Sequence, residues 1–319
     1  FAVFFNFVPD FSVLFSRLQQ LQSHFTWDLK KEDMELENLS TRLEEHITLE
    51  LGRPGAVALS YSLLNRPDEA LKQLLKSQQT TEEVYGEDSE RRLIVTYGDL
   101  AWLNYHTGNF TKSQTYYQRK KYPNSSSDVL HPEVYGEKAW TYLKLSKSHY
   151  PKAIKCFERA LEVQKDDSEW NAGYAIALFR TERVSATDSA AITQLRRALE
   201  LSPDDGVLLS MLAVKLGVEK KYEEAKSLVE KTLKVAPDNP HAMRYISKYL
   251  RYQVGVSIVL LERALERSNT SAFIYHQLGL CYKRKKLNEQ KSQHFDKQSI
   301  HEFKVKICVS VFFKFMAYY

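Results

Sequence analysis

One short phrase recurs along this chain, and its spacing constrains the fold more than any other feature. FERALEVQKDD begins at Phe157, LRRALELSPDD at Leu195, VEKTLKVAPDN at Val229 and LERALERSNTS at Leu261. The shared leucine falls at 161, 199, 233 and 265, so the intervals are 38, 34 and 32 residues. Before, between and after these phrases, small and aromatic residues recur at helical spacing. Examples are Ala139-Trp140-Thr141-Tyr142-Leu143, Gly173-Tyr174-Ala175-Ile176, Leu212-Ala213 and Leu278-Gly279 with Cys281-Tyr282. Each repeat therefore reads as two helices joined by a turn. One such pair cannot bury its own apolar face, whereas stacked pairs share a continuous core.

A period centred on 34 residues is that of the tetratricopeptide repeat. The chain is accordingly expected to be all-α, a tetratricopeptide-repeat superhelical solenoid. Ala101, Ala153, Ala198 and Ala225 are expected where two helices approach closely, and Phe157 and Tyr222 where space between them must be filled. Pro203-Asp204 and Pro237-Asp238 are expected to end helices, since proline cannot continue one. Asn239-Pro240 reads as an N-cap and first helical residue, and Gly108 as a turn residue at positive φ. With only 11 Gly and 9 Pro among 319 residues, a β-rich fold with many tight turns is not expected.

The boundaries follow from where the pattern holds. Residues 1–16 read as an apolar leader outside the domain and 17–54 as an N-terminal helical segment. The solenoid, about six units, is placed at 55–287, with 288–319 as a tail outside it. Within the solenoid, 66–78 reads as a second helix whose partner is short, and the repeat at 98–121 ends early. Neither apolar end reaches the roughly 20 residues of a membrane span, and the leader lacks the basic start of a signal peptide. A cytoplasmic protein is expected. Cys156, Cys281 and Cys308 have no CxxC spacing, so free thiols in a reducing compartment are expected, with no bound metal and no cofactor. No Gly-rich phosphate loop, HExxH or GxSxG is present, and an enzyme is not expected.

The net charge of +5 permits an anionic partner without requiring one. Arg244, Lys248 and Arg251 fall at i, i+4 and i+7, one helix face, with Tyr245 beside them. Such a stripe suits phosphate contact with base stacking, and equally a solvated charged face. The run Lys283-Arg284-Lys285-Lys286 reads as solvent-facing.

Several stretches together carry a family resemblance: SHFTWDLKKEDMELENLSTRLEEHI (23–47), LIVTYGDLAWLNYH (93–106), HPEVYGEKAW (131–140), DSEWNAGYAIALFR (167–180) and HQLGLCYK (276–283). The chain resembles the interferon-induced proteins with tetratricopeptide repeats over roughly residues 17–287, in wording nearest to fish members. Family members carry further repeats beyond the point matching residue 287, so a C-terminally shortened member is expected. The resemblance implies an interferon-induced antiviral effector that binds the 5′ end of single-stranded RNA, triphosphorylated or capped, in a basic groove. It implies a phosphate role for Arg180 and a place near phosphates for Lys144. It implies possible cap stacking for Trp140, with Ile176 as its apolar neighbour, and RNA contacts for Tyr150, His276, Gln277 and Arg42. His46 stands where the family commonly has glutamine. Asn38 stands near the family's metal-assisting acid, so no tightly bound magnesium is expected. The resemblance also places the Arg244–Arg251 helix at the lining of the RNA tunnel and allows related family members as partners. Two alternatives stay open. One is a protein-interaction adaptor, with Asn104 and Asn171 contributing to a carboxylate clamp. The other is a shortened relative with neither activity.

Overall fold

The computed structural model describes residues 11–27, 29, 66–119, 131–182, 189–250, 254–267 and 272–291. Every regular element among the described residues is helical. The chain divides into two compact units, Phe1–Lys165 and Asp166–Tyr319.

The first unit contains α1 (Phe11–Leu18), α2 (Pro67–Tyr85) and the single turn α3 (Ser89–Arg92). Two antiparallel pairs follow: α4 (Ile94–His106) with α5 (Phe110–Gln118), and α6 (Pro132–Leu145) with α7 (Tyr150–Val163). The α4–α5 turn is built as its sequence suggests, with Gly108 at φ 78°. Ser113 Oγ then donates to Ala101 O at 2.8 Å, and both residues are fully buried where the two helices meet. A non-glycine residue at such a φ costs about 1–2 kcal/mol. Gly108→Ala is therefore expected to lower the unfolding free energy by that amount, read as a lower urea midpoint by circular dichroism.

Residues 11–16 depart from the expected boundary. Leu14 and Leu18 of α1 pack with Ala101 and Trp102 of α4, and the Phe15 ring meets Trp102 edge-on at 5.6 Å. The run Phe11, Leu14, Phe15, Leu18 has helical apolar spacing, so this segment can form an amphipathic helix as soon as a partner face exists.

The second unit contains α8 (Ser168–Thr181), α9 (Ala190–Leu201), α10 (Gly206–Val218), α11 (Tyr222–Val235), α12 (Pro240–Tyr249), α13 (Val254–Arg267) and α14 (Ala272–Lys291). Helices α8 and α9, α10 and α11, and α12 and α13 are the pairs of successive repeats. Within the recurring phrase, the first residue supplies the core. Phe157 of the first unit and Leu195, Val229 and Leu261 of the second are buried, whereas the shared leucines Leu199, Leu233 and Leu265 pack at the core's edge. Truncating such a residue, as in Leu195→Ala, typically costs about 2–5 kcal/mol.

The phrase's ending has two jobs. Its last residue is an N-cap: Asp167 accepts from Trp170 N–H, Asp205 from Val207 and Leu208, and Asn239 from His241 and Ala242. The aspartate just before it is stitched to the next repeat. Asp166 pairs with Arg197, Asp204 with Lys231 and Asp238 with Arg263. These three cations hold one position of the phrase, so a single substitution pattern joins successive repeats. The pairs are solvent-exposed and each contributes little; the buried residues beneath them do most of the stabilising.

Tyr222 is a correction. It was expected to fill space, yet it is 57% exposed. As the first residue of α11 its side chain leans back beyond the helix end and stays largely open to solvent. Ala101, Ala153, Ala198 and Ala225 are buried as the close-approach reading requires. Cys156 is a half-buried free thiol whose pKa is pushed up by burial, Cys281 is a buried free thiol, and Cys308 lies outside the described residues. No described helix is long and apolar enough to cross a membrane.

Candidate functional site

Arg42, His46, Asn38 and Arg251 lie outside the described residues. The remaining candidates divide between the two units.

In the first unit, Trp140 and Lys144 are one turn apart on α6, and the structure brings them together. The Lys144 ammonium sits 5.2 Å from the centre of the Trp140 ring. The Phe157 ring meets Trp140 edge-on at 5.5 Å. Trp140 is thus both a packing residue and a half-exposed aromatic carrying a cation, a combination able to meet a flat, electron-poor ring. Tyr150 opens α7 and is half-buried.

The second unit holds the denser cluster. Phe179, Arg180 and Glu182 end α8, Lys215 lies on α10, and Arg244, Tyr245 and Lys248 lie on α12. Phe179 is the hub. Lys248 Nζ lies 5.6 Å from its ring centre, Lys215 Nζ 5.8 Å, and the Tyr245 ring meets it edge-on at 5.5 Å. Arg244 covers the Tyr245 ring at 4.8 Å and donates to the Tyr245 hydroxyl at 3.0 Å. Arg180, next to Phe179 in sequence, is exposed in the last turn of α8. Ile176, one turn earlier, packs against the unit's core. Arg244 and Lys248 are therefore not a fully solvated stripe. Both are half-buried, with their cationic ends held over aromatic rings.

Tyr245 is corrected. The sequence suggested a base-stacking face beside the stripe, but the residue is 6% exposed, with Phe179 at its edge and Arg244 over its face. Its place in the helix, one residue from Arg244, turns it inward, and its hydroxyl is left to orient the guanidinium. Two neighbours went unnoticed in the sequence. Phe179 reads there as ordinary core, and Lys215 sits within the apolar run VLLSMLAVKLGV, where only burial shows that its ammonium needs a partner. That partner is Glu182, which Lys215 contacts and which also accepts from Ser189 Oγ at 2.6 Å. Burial raises the Glu182 pKa, and the bonds from Lys215 and Ser189 outweigh it, so the net shift is downward.

His276 and Gln277 lie on α14, which packs on α12; His276 is half-buried and Gln277 buried. On the same helix Lys283 is exposed, while Arg284, Lys285 and Lys286 are half-buried rather than fully solvent-facing.

The carboxylate-clamp alternative loses its residues. Asn104 is buried and donates to Leu100 O at 2.7 Å within its own helix. Asn171 is buried, donates to Asp167 O at 2.8 Å and accepts from Gln194 at 2.9 Å.

Part of the longest resembling stretch has a structural role. His24 is buried with Nδ1 2.7 Å from Asp99 Oδ2 and Nε2 2.9 Å from Thr141 Oγ1. Asp99 Oδ1 accepts from Ser23 Oγ and the His24 backbone N–H. Thr141 donates its one hydroxyl proton to Glu137 O, so its oxygen accepts from His24 Nε2–H. Both ring nitrogens then donate, as in an imidazolium. Burial opposes that charge, but Asp99 and the nearby Glu137 outweigh it, and the His24 pKa is raised. The segment fits because position 98 is glycine: a Cβ there would stand 2.4 Å from Gln22 O.

Comparison with known proteins agrees with the helical-repeat fold. The tetratricopeptide-repeat family model matches residues 138–206. The human protein named IFIT1 homolog B is 33% identical over 83% of this chain and 60% of its own length. Human interferon-induced protein with tetratricopeptide repeats 2 is 31% identical over 85% of this chain and 60% of its own. This chain thus spans about three fifths of the length of these relatives. A monomeric mutant of IFIT1 solved with Gppp-AAAA superposes with a TM-score of 0.83 at 29% identity, covering 94% of this chain and 70% of that one. A human IFIT1 dimer solved with PPP-AAAA gives 0.79 at 29% identity, covering 94% and 67%.

Proposed function

This chain belongs to the family of interferon-induced proteins with tetratricopeptide repeats, and from that premise we propose that it binds the 5′ end of single-stranded RNA as an antiviral effector in the cytoplasm. The observation that carries the reading is the cationic cluster of the second unit. Arg244 and Lys248 of α12 lie over the rings of Tyr245 and Phe179, and Arg180 follows Phe179 in the last turn of α8, a helix of a different repeat. Rings with cations laid over them keep those charges partly dehydrated, which strengthens their attraction for a phosphate.

The roles divide by chemistry. Arg180 offers a permanently charged planar fork to a terminal phosphate, with Arg244 and Lys248 supporting the following phosphates. His276 and Gln277 supply hydrogen bonds to sugar or phosphate oxygens. Tyr150, Arg42, His46 and Arg251 are further contacts along the strand. Trp140, with Lys144 at its face, serves a capped 5′ end by stacking on the cap base, and Ile176 of the second unit is a further apolar residue for that base. Binding alone accounts for such a site, with no bond made or broken. Two solved structures are described as human IFIT1 dimers, and self-association is proposed here on the same ground.

The test compares 5′-triphosphate, capped and 5′-hydroxyl oligomers of one sequence at several salt concentrations. Triphosphate or capped RNA is expected to bind at least tenfold tighter than hydroxyl RNA. Affinity is expected to fall steeply with salt, with a slope of about 0.7 per phosphate contacted on a log–log plot. Equal affinity for all three ends would remove the reading.

A further inference from the structure

Arg180 occupies a demanding place. It stands in the last turn of α8, two residues before the chain leaves the helix at Glu182. Helix ends open more easily than helix centres, so a guanidinium there points usefully only if the end is tied down. Glu182 is where it is tied. Its backbone N–H bonds Leu178 O at 2.9 Å, closing the last turn. Its carboxylate accepts from Ser189 Oγ, the N-cap of α9, and from Lys215 Nζ on α10. One carboxylate thus fastens the end of one helix, the start of the next and the last turn of a third. Lys215 is 7% exposed, and its ammonium also borders the ring of Phe179, the residue before Arg180. Lys248 borders the same ring.

Resting on the 5′-end reading above, we propose that the Lys215–Glu182 pair is a latch that fixes the last turn of α8 and so aims Arg180. Lys215 is on this account a positioning residue and not a phosphate ligand. Its ammonium is committed to Glu182 and shielded from solvent, whereas Arg180 is exposed. The pair is buried enough that removing one charge leaves the other poorly satisfied, which loosens the turn.

The full chain is tested as Lys215→Met, Glu182→Gln and the double variant. Each single change is expected to weaken 5′-triphosphate binding about tenfold while leaving 5′-hydroxyl binding as in the parent. The double variant is expected to lose no more than the worse single, because both act through one contact. Amide exchange in peptides covering residues 176–182 is expected to accelerate in all three. Unchanged exchange there overturns the latch whatever the RNA result. Triphosphate binding weakened by Lys215→Met but not by Glu182→Gln, which keeps the Lys215 ammonium, makes Lys215 a direct ligand and overturns the positioning role. If Lys215→Met does not fold, Ser189→Ala removes one bond to Glu182 without stranding a charge. Faster exchange at 176–182 then supports the latch and parental exchange refutes it. Failure of the parent chain to prefer triphosphate over hydroxyl ends defeats the RNA reading instead, and the exchange result still decides the latch.

Discussion

Arg180→Glu is expected to lower affinity for a 5′-triphosphate oligomer at least about a hundredfold, with the helical circular dichroism signal unchanged. A hundredfold is about 2.7 kcal/mol. Truncating one partner of a desolvated charge pair commonly costs about 2–5 kcal/mol, and a carboxylate facing phosphate adds repulsion to that loss. The fold should be indifferent, because Arg180 is exposed at a helix end and contributes no side chain to the core. Arg159→Glu is the control: it changes net charge by the same amount on an exposed face of α7 in the first unit. If Arg159→Glu weakens binding as much as Arg180→Glu does, the loss reflects overall charge and Arg180 has no special role.

The second large effect concerns stability. Asp99→Ala removes the carboxylate that faces the buried His24 ring at 2.7 Å and accepts from Ser23 and the His24 backbone. Removing one member of a buried pair typically costs about 3–5 kcal/mol. At about 2–4 °C per kcal/mol for a unit of this size, the melting temperature should fall by about 6–20 °C. Trp27 lies 4.5 Å from the His24 ring, so its fluorescence should report the change locally. The pH dependence has a definite sign. Because the folded-state pKa of His24 is raised above 6.5, its contribution is complete below that value and is lost as pH rises through the folded pKa. Denaturation midpoints should therefore drop on alkalinisation in the parent chain, and Asp99→Ala should flatten that dependence. A variant as stable as the parent, with the parent's pH profile, would show that the pair does not hold the segment.

The two substitutions act in different units, one on stability and one on binding. Asp99→Ala acts on the first unit's interior, where Ser23 to Trp27 is docked. Arg180→Glu acts on an exposed side chain of the second. If both lowered RNA affinity and stability in proportion, binding loss would reduce to unfolding. The expectation is a clean division, with Arg180→Glu changing affinity alone.

The sequence alone determined the helical repeat, its period, the helix-ending Pro-Asp turns, the caps at Asn239 and Gly108, and the small residues at close approaches. All of these are local or periodic, and the physics that demands them acts within one turn or one repeat. It also determined the family, through wording spread across several repeats. Only the tertiary structure decided which charges and rings meet. Phe179, Lys215 and Lys248 lie on three helices, and no short-range pattern links them. Tyr245 and Tyr222 show the same divide in reverse: a tyrosine beside a cationic stripe looks available and one at a repeat's packing position looks buried, yet the first is inside and the second outside. A residue's chemistry is set by its type, but its dielectric surroundings, and so whether a lysine is a ligand or a latch, are set by neighbours far away in the chain.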